Sequence, residues 1–373
     1  MKALVAGAGI GGLAAAISLR AKGHDVTVLE RAASLEAAGY GIALSPNAMQ
    51  ALAKLRLADT VLSAGAHAEH AQIRTPAGGV LNEIDFDGGG IVGVHRAELQ
   101  RILLQAAGDV VLLGREVTGF RADSDGVTAV SADGSEDRGD LLVGADGINS
   151  AVRAQLHGPG ELRYAGHSGW RASVSFDDPS LRARVSETWG RGARFGLVPI
   201  GNGRLYWFVA ESAPAGAPPP PEGPKRAFQH RFRDWHHPIP AVIDSTDEQG
   251  LSRTDVFDRK PLKRWGEGRV TLLGDAAHPM TPNLGQGAGQ ALEDAVILGN
   301  RLADERDPEA GLRAYEAQRI PRTTTIVRLS WQLGRMAQLE NPLAIRARNA
   351  LLKATPRRVQ QKQNRRVISV SLD

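Results

Sequence analysis

Apolar residues recur along this chain at two different spacings. Short continuous apolar runs at 3–6, 26–29 and 270–273 predict buried β-strands. Apolar positions at helical spacing follow the first and the last of these runs, over 13–22 and 288–303, and predict helices. Buried strands that alternate with helices are typical of a parallel sheet covered by helices. The pattern therefore predicts an α/β domain to which distant parts of the chain contribute.

The segments between these runs carry further signals. Helical patterns are predicted at 48–57, 94–104, 309–337 and 342–353. Pro321 is predicted to kink or interrupt the third of these helices. Alternating runs at 110–113, 116–120 and 126–130 predict antiparallel strands. Residues 36–47 predict a loop, which either follows a bound ring or is a surface turn.

The composition changes between residues 162 and 258. Most of the aromatic residues fall in this stretch: Trp170, Phe176, Trp189, Phe195, Tyr206, Trp207, Phe208, Trp235 and Phe257. They accompany the alternation of apolar and polar positions that is typical of strands. We therefore expect a separate antiparallel sheet that presents one face to the α/β domain.

Composition narrows the classes of function. A chain of 373 residues without cysteine has no disulfide, thiolate metal site or thiol nucleophile. The ten histidines show no ligand spacing, so no metal site is predicted. The longest apolar stretches are shorter than the roughly 18 residues of a spanning helix, and four glycines interrupt the apolar amino terminus. We expect a cytoplasmic protein, either a monomer or a homodimer.

The formal net charge of +4 hides a basic carboxyl terminus. After residue 340 there is one acid, Asp373, against eight bases: Arg346, Arg348, Lys353, Arg357, Arg358, Lys362, Arg365 and Arg366. Such a stretch is more often the solvated face of a terminal helix than a site for nucleic acid or an anionic membrane. Because aromatic residues for base stacking are absent from it, no nucleic-acid partner is expected.

The first apolar run leads into a glycine-rich turn. Gly7, Gly9 and Gly12 form G-x-G-x-x-G between a predicted strand and a predicted helix. These glycines allow a tight turn, close approach of a pyrophosphate and close packing of the helix on the strand. Glu30 ends the second strand about 20 residues later, where an acid binds ribose hydroxyls. Together these features predict a bound dinucleotide.

Two later strands end on glycine and aspartate. Asp146-Gly147 follows the run at 141–143, and Gly274-Asp275 follows the run at 270–273. Prolines after Asp275 prevent a helix until about Gly285, so residues 276–284 must cross the site as irregular backbone. The free N–H groups of the next helix would then face the same site. An ordinary strand-loop-helix with a glycine-rich turn is the alternative interpretation.

The order of these three motifs resembles the single-component FAD-dependent aromatic hydroxylases, typified by p-hydroxybenzoate hydroxylase. The resemblance spans essentially the whole chain. It implies an α/β (α+β overall) fold, with a Rossmann-type FAD-binding domain, an inserted antiparallel β-sheet substrate domain and C-terminal helices. The corresponding division is 1–70, 94–160 and 261–303 for FAD, 71–93 and 161–260 for the substrate, and 304–373 for the helices.

The resemblance also implies cofactor contacts. Gly7, Gly9 and Gly12 would hold the diphosphate, Glu30 the adenosine ribose and Asp275 the ribityl chain. Asp146 would serve FAD and the nicotinamide cofactor, and Arg96 would lie at the flavin. The remaining implied FAD contacts are Ile10, Gly11, Arg31, Gly41, Val117, Gly147, Pro282, Gly285, Gly287 and Ala288.

Within this family, the segments 163–171 and 194–206 resemble bacterial FAD-dependent urate hydroxylases. Arg194 and Tyr206 would contact the ring, with Asn283 and Pro282 completing the catalytic set. Asn283 departs from the aspartate expected there. A planar electron-rich ring other than urate is therefore at least as good an expectation.

The resemblance implies a monooxygenase that uses NADH or NADPH and O2 to hydroxylate a small aromatic or heteroaromatic compound through a flavin hydroperoxide. An FAD-dependent oxidase or dehydrogenase on the same scaffold is the alternative. A non-catalytic flavoprotein that uses its basic terminus for interactions is a third. No second G-x-G-x-x-G that joins a predicted strand to a predicted helix is visible for NAD(P)H, so transient binding of NAD(P)H is expected.

Overall fold

The computed structural model describes residues 1–35, 39–86, 89–305 and 307–373. Its strands are β1 Lys2–Ala6, β2 Asp25–Glu30, β3 Gly41–Leu44, β4 Ala66–Ala68, β5 His70–Arg74, β6 Val80–Asp85, β7 Ile91–His95, β8 Val111–Leu113, β9 Val117–Ala122, β10 Val127–Ser131, β11 Glu136–Gly139, β12 Leu141–Gly144, β13 Arg163–Ser175, β14 Arg184–Trp189, β15 Ala193–Pro199, β16 Arg204–Ser212, β17 Ser252–Asp258 and β18 Val270–Leu272. Its α-helices are α1 Ile10–Ala21, α2 Pro46–Lys54, α3 Ala58–Ala64, α4 Arg96–Ala107, α5 Ala151–His157, α6 Pro224–Phe232, α7 Ile239–Asp244, α8 Gly287–Asp304, α9 Pro308–Ala337, α10 Pro342–Ala354 and α11 Arg357–Ile368.

Five strands form the first sheet, in the order β18-β12-β1-β2-β8. Every neighbouring pair is parallel, which confirms the predicted α/β class. Helices α4 and α8 both pack against α1, and their apolar faces belong to the same core as the sheet. Because β1, β12 and β18 are neighbours and parallel, the three motif loops that follow them meet at one edge of the sheet.

The prediction that residues 110–113 form an antiparallel strand is wrong. β8 joins the parallel sheet beside β2, with Val111 opposite Val28. The next two predicted runs do form an antiparallel sheet, β11-β10-β9. Alternation of apolar residues identifies a strand but carries no direction. The direction of β8 follows from α4, which packs on α1 and returns the chain to the starting edge of the sheet.

The aromatic stretch folds into a second sheet, in the order β17-β13-β16-β15-β14-β5-β6. All of its pairs are antiparallel, as predicted, except β14 with β5. Alternate residues of β16 serve opposite faces of this sheet. Trp207 packs with Phe195 and Phe228 in a core closed by α6 and α7. Tyr206 and Phe208 belong to a separate cluster on the other face.

A small antiparallel sheet has the strand order β3-β7-β4. Residues 41–44 were expected in a loop, but they form β3, with Gly41 opposite His95 and Leu44 opposite Val92. Pairing with a distant strand overrides the local turn composition here. Residues 36–38 of the predicted loop lie outside the described residues.

Helix α9 runs without interruption through Pro321, so the predicted interruption is wrong, and the alternative of a kink stays a prediction. Buried ion pairs on both sides of the proline bind the helix to α8. Arg319 contacts Glu293 and Asp294, both at 2.6 Å, and Arg322 contacts Glu293 at 2.6 Å. These tertiary contacts outweigh the local cost of the proline.

The terminal helix α11 has no buried residue and is fixed mainly by its carboxyl end. Arg322 donates to the backbone carbonyls of Val367 and Ser369, at 3.0 and 2.9 Å. Asn300 donates to the carbonyl of Leu372, whose side chain is buried. In the part of the chain that the structure describes, no helix is long and apolar enough to cross a membrane.

Candidate active site

The first glycine motif forms the turn between β1 and α1. Gly7 has a φ of +102°, and a Cβ on Gly12 would lie 1.9 Å from the carbonyl oxygen of Gly7. The turn itself therefore requires both glycines. Gly9 differs, because its backbone is extended and no atom lies within 4 Å of the position of an added Cβ. This open space before the first turn of α1 fits the diphosphate of a dinucleotide.

Glu30 stands beside this turn at the end of β2. Its two carboxylate oxygens accept hydrogen bonds from the backbone N–H groups of Ala8, at 2.7 Å, and Ala32, at 2.9 Å. Each oxygen keeps a second lone pair, so the carboxylate can still accept from a ribose hydroxyl. Arg31, the next residue, is exposed at the same edge.

Three other residues that were predicted to contact the cofactor pack mainly against the protein's own side chains. A Cβ on Gly11 would lie 2.7 Å from the side chain of Leu273, so packing requires a glycine there. Ile10 begins α1 and packs against the core. Val117 begins β9 and is buried in that core. Contact of these three residues with FAD stays a prediction.

Asp146 follows β12 and caps the helix α5. Its Oδ2 accepts from the backbone N–H of Ala151 at 2.8 Å, while its Oδ1 is buried without a partner. Burial raises the pKa of this carboxyl above its usual range. Gly147 has a φ of +83° and turns the chain into the loop before α5. The unpartnered oxygen is an acceptor position left for a ligand.

The second and third motifs are bound to each other by Arg153. This buried side chain donates to the backbone carbonyls of Ala276, at 2.9 Å, and Ala277, at 3.0 Å. Burial lowers its pKa to about 10. Arg153 therefore fixes the loop that carries Asp275, although it does not line the cavity described below.

Asp275 lies deep in the molecule, but its side chain is exposed because it faces an open cavity. Desolvation raises the pKa of its carboxyl, and His278 and Arg96 partly oppose that shift. Pro282 and Gly285 are likewise exposed to this cavity, next to the first turn of α8. The loop prediction for 276–284 is confirmed, since the only helical turns there are short 3-10 turns.

The cavity, called the ring cavity below, has a volume of about 310 Å³. Residues of the α/β domain line one side of it: Gly41, Arg96, Asp275, Pro282, Gly285, Gly287 and Ala288. Residues of the aromatic sheet line the other: His167, Arg171, Glu187, Arg194, Tyr206 and Phe208. The structure thus brings the sequence-predicted substrate residues together with the predicted flavin residues.

Arg194 is buried in the wall of the ring cavity, with 2% of its side chain exposed. Its terminal nitrogens donate to Glu187 at 2.8 Å and to Asn283 at 2.6 Å. Its Nε is buried without a partner. Because Glu187 neutralises the Arg194 guanidinium, this pair offers hydrogen-bond donors but no net positive charge.

Asn283 suits this arrangement better than the expected aspartate would. Its oxygen accepts from Arg194, and its Nδ2 donates to the Thr281 hydroxyl at 2.9 Å and to the Ser330 carbonyl at 3.0 Å. A carboxylate could not donate to the Ser330 carbonyl and would place a second negative charge near Glu187. The departure from the expected residue therefore has a local physical reason.

Arg194 and Tyr206 lie on one face of the sheet but are not direct neighbours. Arg194 is opposite Ala210, and Tyr206 is opposite Val198. Four residues of strand separate the two rows, which is about 13 Å. Tyr206 is buried, and desolvation raises its pKa to about 12, so its hydroxyl stays protonated. The two side chains therefore mark opposite ends of the ring cavity.

His167 is a cavity residue that the sequence analysis missed. It is 1% exposed, its Nδ1 lies 3.2 Å from the carbonyl oxygen of Ala165, and its Nε2 has no partner. Burial lowers its pKa to about 4, and the charge of Arg194 acts in the same direction. The ring is therefore neutral at pH 7, with Nδ1 as donor and Nε2 as acceptor. Its position on a strand next to a glycine carried no signal of this role.

Arg171 also shapes the cavity, together with Tyr40, which the sequence analysis did not predict as a site residue. The Tyr40 hydroxyl accepts from Arg96 at 2.8 Å, and the guanidinium of Arg171 lies 5.4 Å from the centre of the Tyr40 ring. A Cβ on Gly41 would lie 2.4 Å from the Cβ of Tyr206. Close packing of β3 against β16 therefore accounts for Gly41.

Among the described residues, no three acidic or histidine side chains gather as a metal site.

Comparisons with known proteins agree with this geometry. A family model described as an FAD binding domain matches residues 1–330. The chain is 42% identical over 357 residues to the aurachin C monooxygenase/isomerase of Stigmatella aurantiaca, covering 94% of this chain and 93% of that protein. It is 37% identical over 337 residues to the FAD-dependent urate hydroxylase of Klebsiella pneumoniae, covering 88% of each.

Solved structures show the same fold. Klebsiella pneumoniae HpxO, complexed with FAD and uric acid, matches with a TM-score of 0.93 at 33% identity, over 99% of this chain and 96% of that one. A salicylate hydroxylase substrate complex matches with a TM-score of 0.83 at 23% identity, over 100% of this chain and 96% of that one. The second match is a likeness of fold alone.

Proposed function

Since the chain belongs to the FAD-binding family of flavin-dependent hydroxylases and monooxygenases, we propose that it hydroxylates a planar aromatic or heteroaromatic ring. The reaction consumes the ring compound, O2, NAD(P)H and one proton, and it yields the hydroxylated ring, NAD(P)+ and water. Bound FAD supplies the transfer of electrons from NAD(P)H to O2 and of one oxygen atom to the ring.

One observation carries this proposal: the ring cavity joins the predicted flavin residues to hydrogen-bonding side chains of a separate sheet. Gly9 leaves room for the diphosphate, and Asp275 and the first turn of α8 face the same space. The positive end of the α8 dipole suits the electron-rich flavin. The contacts of individual residues with FAD, and the division into domains, stay predictions.

The polar groups at the Arg194 end of the ring cavity favour an uncharged edge of the substrate ring. Arg194 is paired with Glu187, and His167 is neutral, so neither wall group attracts a negative charge. The unpartnered Nε of Arg194 can donate to a carbonyl or hydroxyl oxygen, and the unpartnered Nε2 of His167 can accept from an N–H or O–H group. A ring that carries both an acceptor and a donor satisfies both atoms at once.

The remaining residues position the ring and keep water out. Tyr206 stays protonated and can donate its hydroxyl hydrogen to an oxygen at its end of the cavity. Phe208 and Val198 provide apolar contact on the same face of the sheet. The buried Nε2 of His167 is a neutral hydrogen-bond acceptor that can receive a hydroxyl or N–H hydrogen of the ring.

The test is a screen for stimulation of NADH or NADPH oxidation, followed by mass spectrometry of the product formed under 18O2. We expect one labelled oxygen in the product. Oxidation of a substrate without label would support an oxidase or dehydrogenase instead. Arg194→Ala should raise KM about 10- to 150-fold, because a charge-assisted hydrogen bond of about 1.5–3 kcal/mol is lost. In this variant, NAD(P)H should also be oxidised without hydroxylation of the substrate.

The control is Arg204→Ala, which removes an exposed arginine at the start of β16. It should leave KM and the coupling of NAD(P)H use to hydroxylation unchanged. Equal effects of the two substitutions would contradict the role of Arg194.

A further inference from the structure

A second cavity, called the chain cavity below, adjoins the ring cavity and has about twice its volume, 640 Å³ against 310 Å³. The two share the residues Ala43, Glu187, Val198, Phe208 and Asn283. The ion pair Arg194–Glu187 and the hydrogen bonds that hold Asn283 therefore lie at the junction of the two cavities. A ligand whose polar ring is held at that junction can extend into the larger space.

The lining of the chain cavity is mainly apolar and comes from three directions. The sheet contributes Ile73, Ile84 and Val185, α9 contributes Leu329, Leu333 and Met336, and α10 and α11 contribute Leu352, Val367 and Ile368. Eight of the nine are only partly buried and Leu329 is 36% exposed, so they face space rather than filling a core. An apolar surface of this kind, enclosed next to a polar site, is typical of a ligand-binding cavity.

Charged side chains are nearly absent from this lining. Glu187 is neutralised by Arg194, and Arg366 of α11 is the other charged residue. Most of the polar side chains near Arg366 belong to α11 as well, including Gln360, Gln363 and Asn364. A phosphate would meet a single cation, Arg366, and the apolar walls would leave most of its charge unpaired.

We propose that the substrate carries a hydrocarbon chain on its ring, and that the chain occupies the chain cavity while the ring occupies the ring cavity. This inference rests on the proposed function and adds the substrate class to it. The chain contributes affinity through burial of apolar surface, and it also fixes which ring edge faces the flavin residues.

The test uses the FAD-loaded enzyme and a series of 4-n-alkylphenols, from 4-methylphenol to 4-dodecylphenol. Phenols are neutral at pH 7 and carry a hydroxyl that can both donate and accept. The Kd, measured from the change in flavin absorbance, should fall about fourfold for each added methylene, since each buried CH2 contributes about 0.8 kcal/mol. The decrease should stop at the length that fills the cavity.

Two substitutions shorten the cavity from opposite walls. Leu333→Trp on α9 and Ile84→Phe on β6 should move the plateau to shorter chains and leave the Kd of 4-methylphenol and the FAD content unchanged. Leu343→Trp on α10 is the matched control, because Leu343 is 72% exposed and does not line the cavity. It should leave the whole series unchanged.

The outcomes separate the two proposals. A chain-length dependence that is flat, or that neither cavity variant alters, would overturn the chain proposal even if a simple ring is hydroxylated. Decanoic acid binding as tightly as 4-decylphenol would also overturn it, because the cavity would then hold a free lipid. Failure of the proposed function would look different: no ring of any kind would stimulate NAD(P)H oxidation.

Discussion

The open space at Gly9 gives the sharpest test of the cofactor site. In Gly9→Ala the new methyl group meets no protein atom within 4 Å, and the backbone there, with φ −70° and ψ −179°, is accessible to alanine. The apoprotein should therefore be as stable as the wild type, or more stable by about 0.4–1 kcal/mol, because alanine restricts the unfolded chain. Only a bound ligand would meet the added methyl group.

The expected loss of FAD affinity follows from crowding at the diphosphate. Forcing a methyl group into a packed interface costs about 1–3 kcal/mol, which corresponds to an FAD Kd raised about 5- to 150-fold. Titration of the apoprotein with FAD, followed by quenching of flavin fluorescence, measures this change. Urea unfolding of the same apoprotein measures the free energy of unfolding.

Gly12→Ala is the matched control, since its Cβ would lie 1.9 Å from the backbone oxygen of Gly7. That clash exists without any ligand, so this variant should lose more than about 3 kcal/mol of stability. Unchanged FAD affinity in Gly9→Ala would refute the placement of the diphosphate. Destabilisation of its apoprotein as large as that of Gly12→Ala would refute the reading of the space as open.

Three further predictions concern ionisable side chains. Asp146→Ala should slow reduction of the flavin by NAD(P)H, measured by stopped-flow, more than it weakens substrate binding; an unaltered reduction rate would contradict its proposed role. His167 has a pKa near 4 when folded and 6.5 when unfolded, so the unfolded state binds an extra proton between these values. The free energy of unfolding should therefore drop by about 2 kcal/mol more from pH 7 to pH 5 in the wild type than in His167→Gln. Arg319→Met should cost about 3–5 kcal/mol in urea unfolding, because the buried carboxylate of Asp294 loses its guanidinium partner, while Glu293 keeps Arg322. The exposed Arg182→Met should cost less than about 1 kcal/mol; similar losses would count against the buried network.

Local patterns in the sequence predicted the cofactor half of the molecule well. The strand ends that carry Gly7, Asp146 and Asp275 are marked by short apolar runs and glycines, and parallel neighbours bring such ends together. The direction of β8 was not predictable from alternation, because it depends on how α4 packs.

The substrate half was harder to predict because its chemistry depends on partners distant in sequence. Arg194 and Tyr206 were identified, but neither the pairing of Arg194 with Glu187 nor its bond to Asn283, 89 residues away, is visible in the sequence. His167 was missed for the same reason, since only the folded sheet leaves its Nε2 buried and unpartnered.

The way α11 is attached bears on how this enzyme can evolve. Arg322 holds the end of the helix through the main-chain carbonyls of Val367 and Ser369, and Asn300 holds the terminus through that of Leu372. Anchors of this kind survive mutation of the side chains that α11 turns toward the chain cavity. The family model also ends at residue 330, before this helix begins. Under the chain proposal, substitutions along α11 are therefore expected to change chain-length preference without altering the residues predicted at the cofactor.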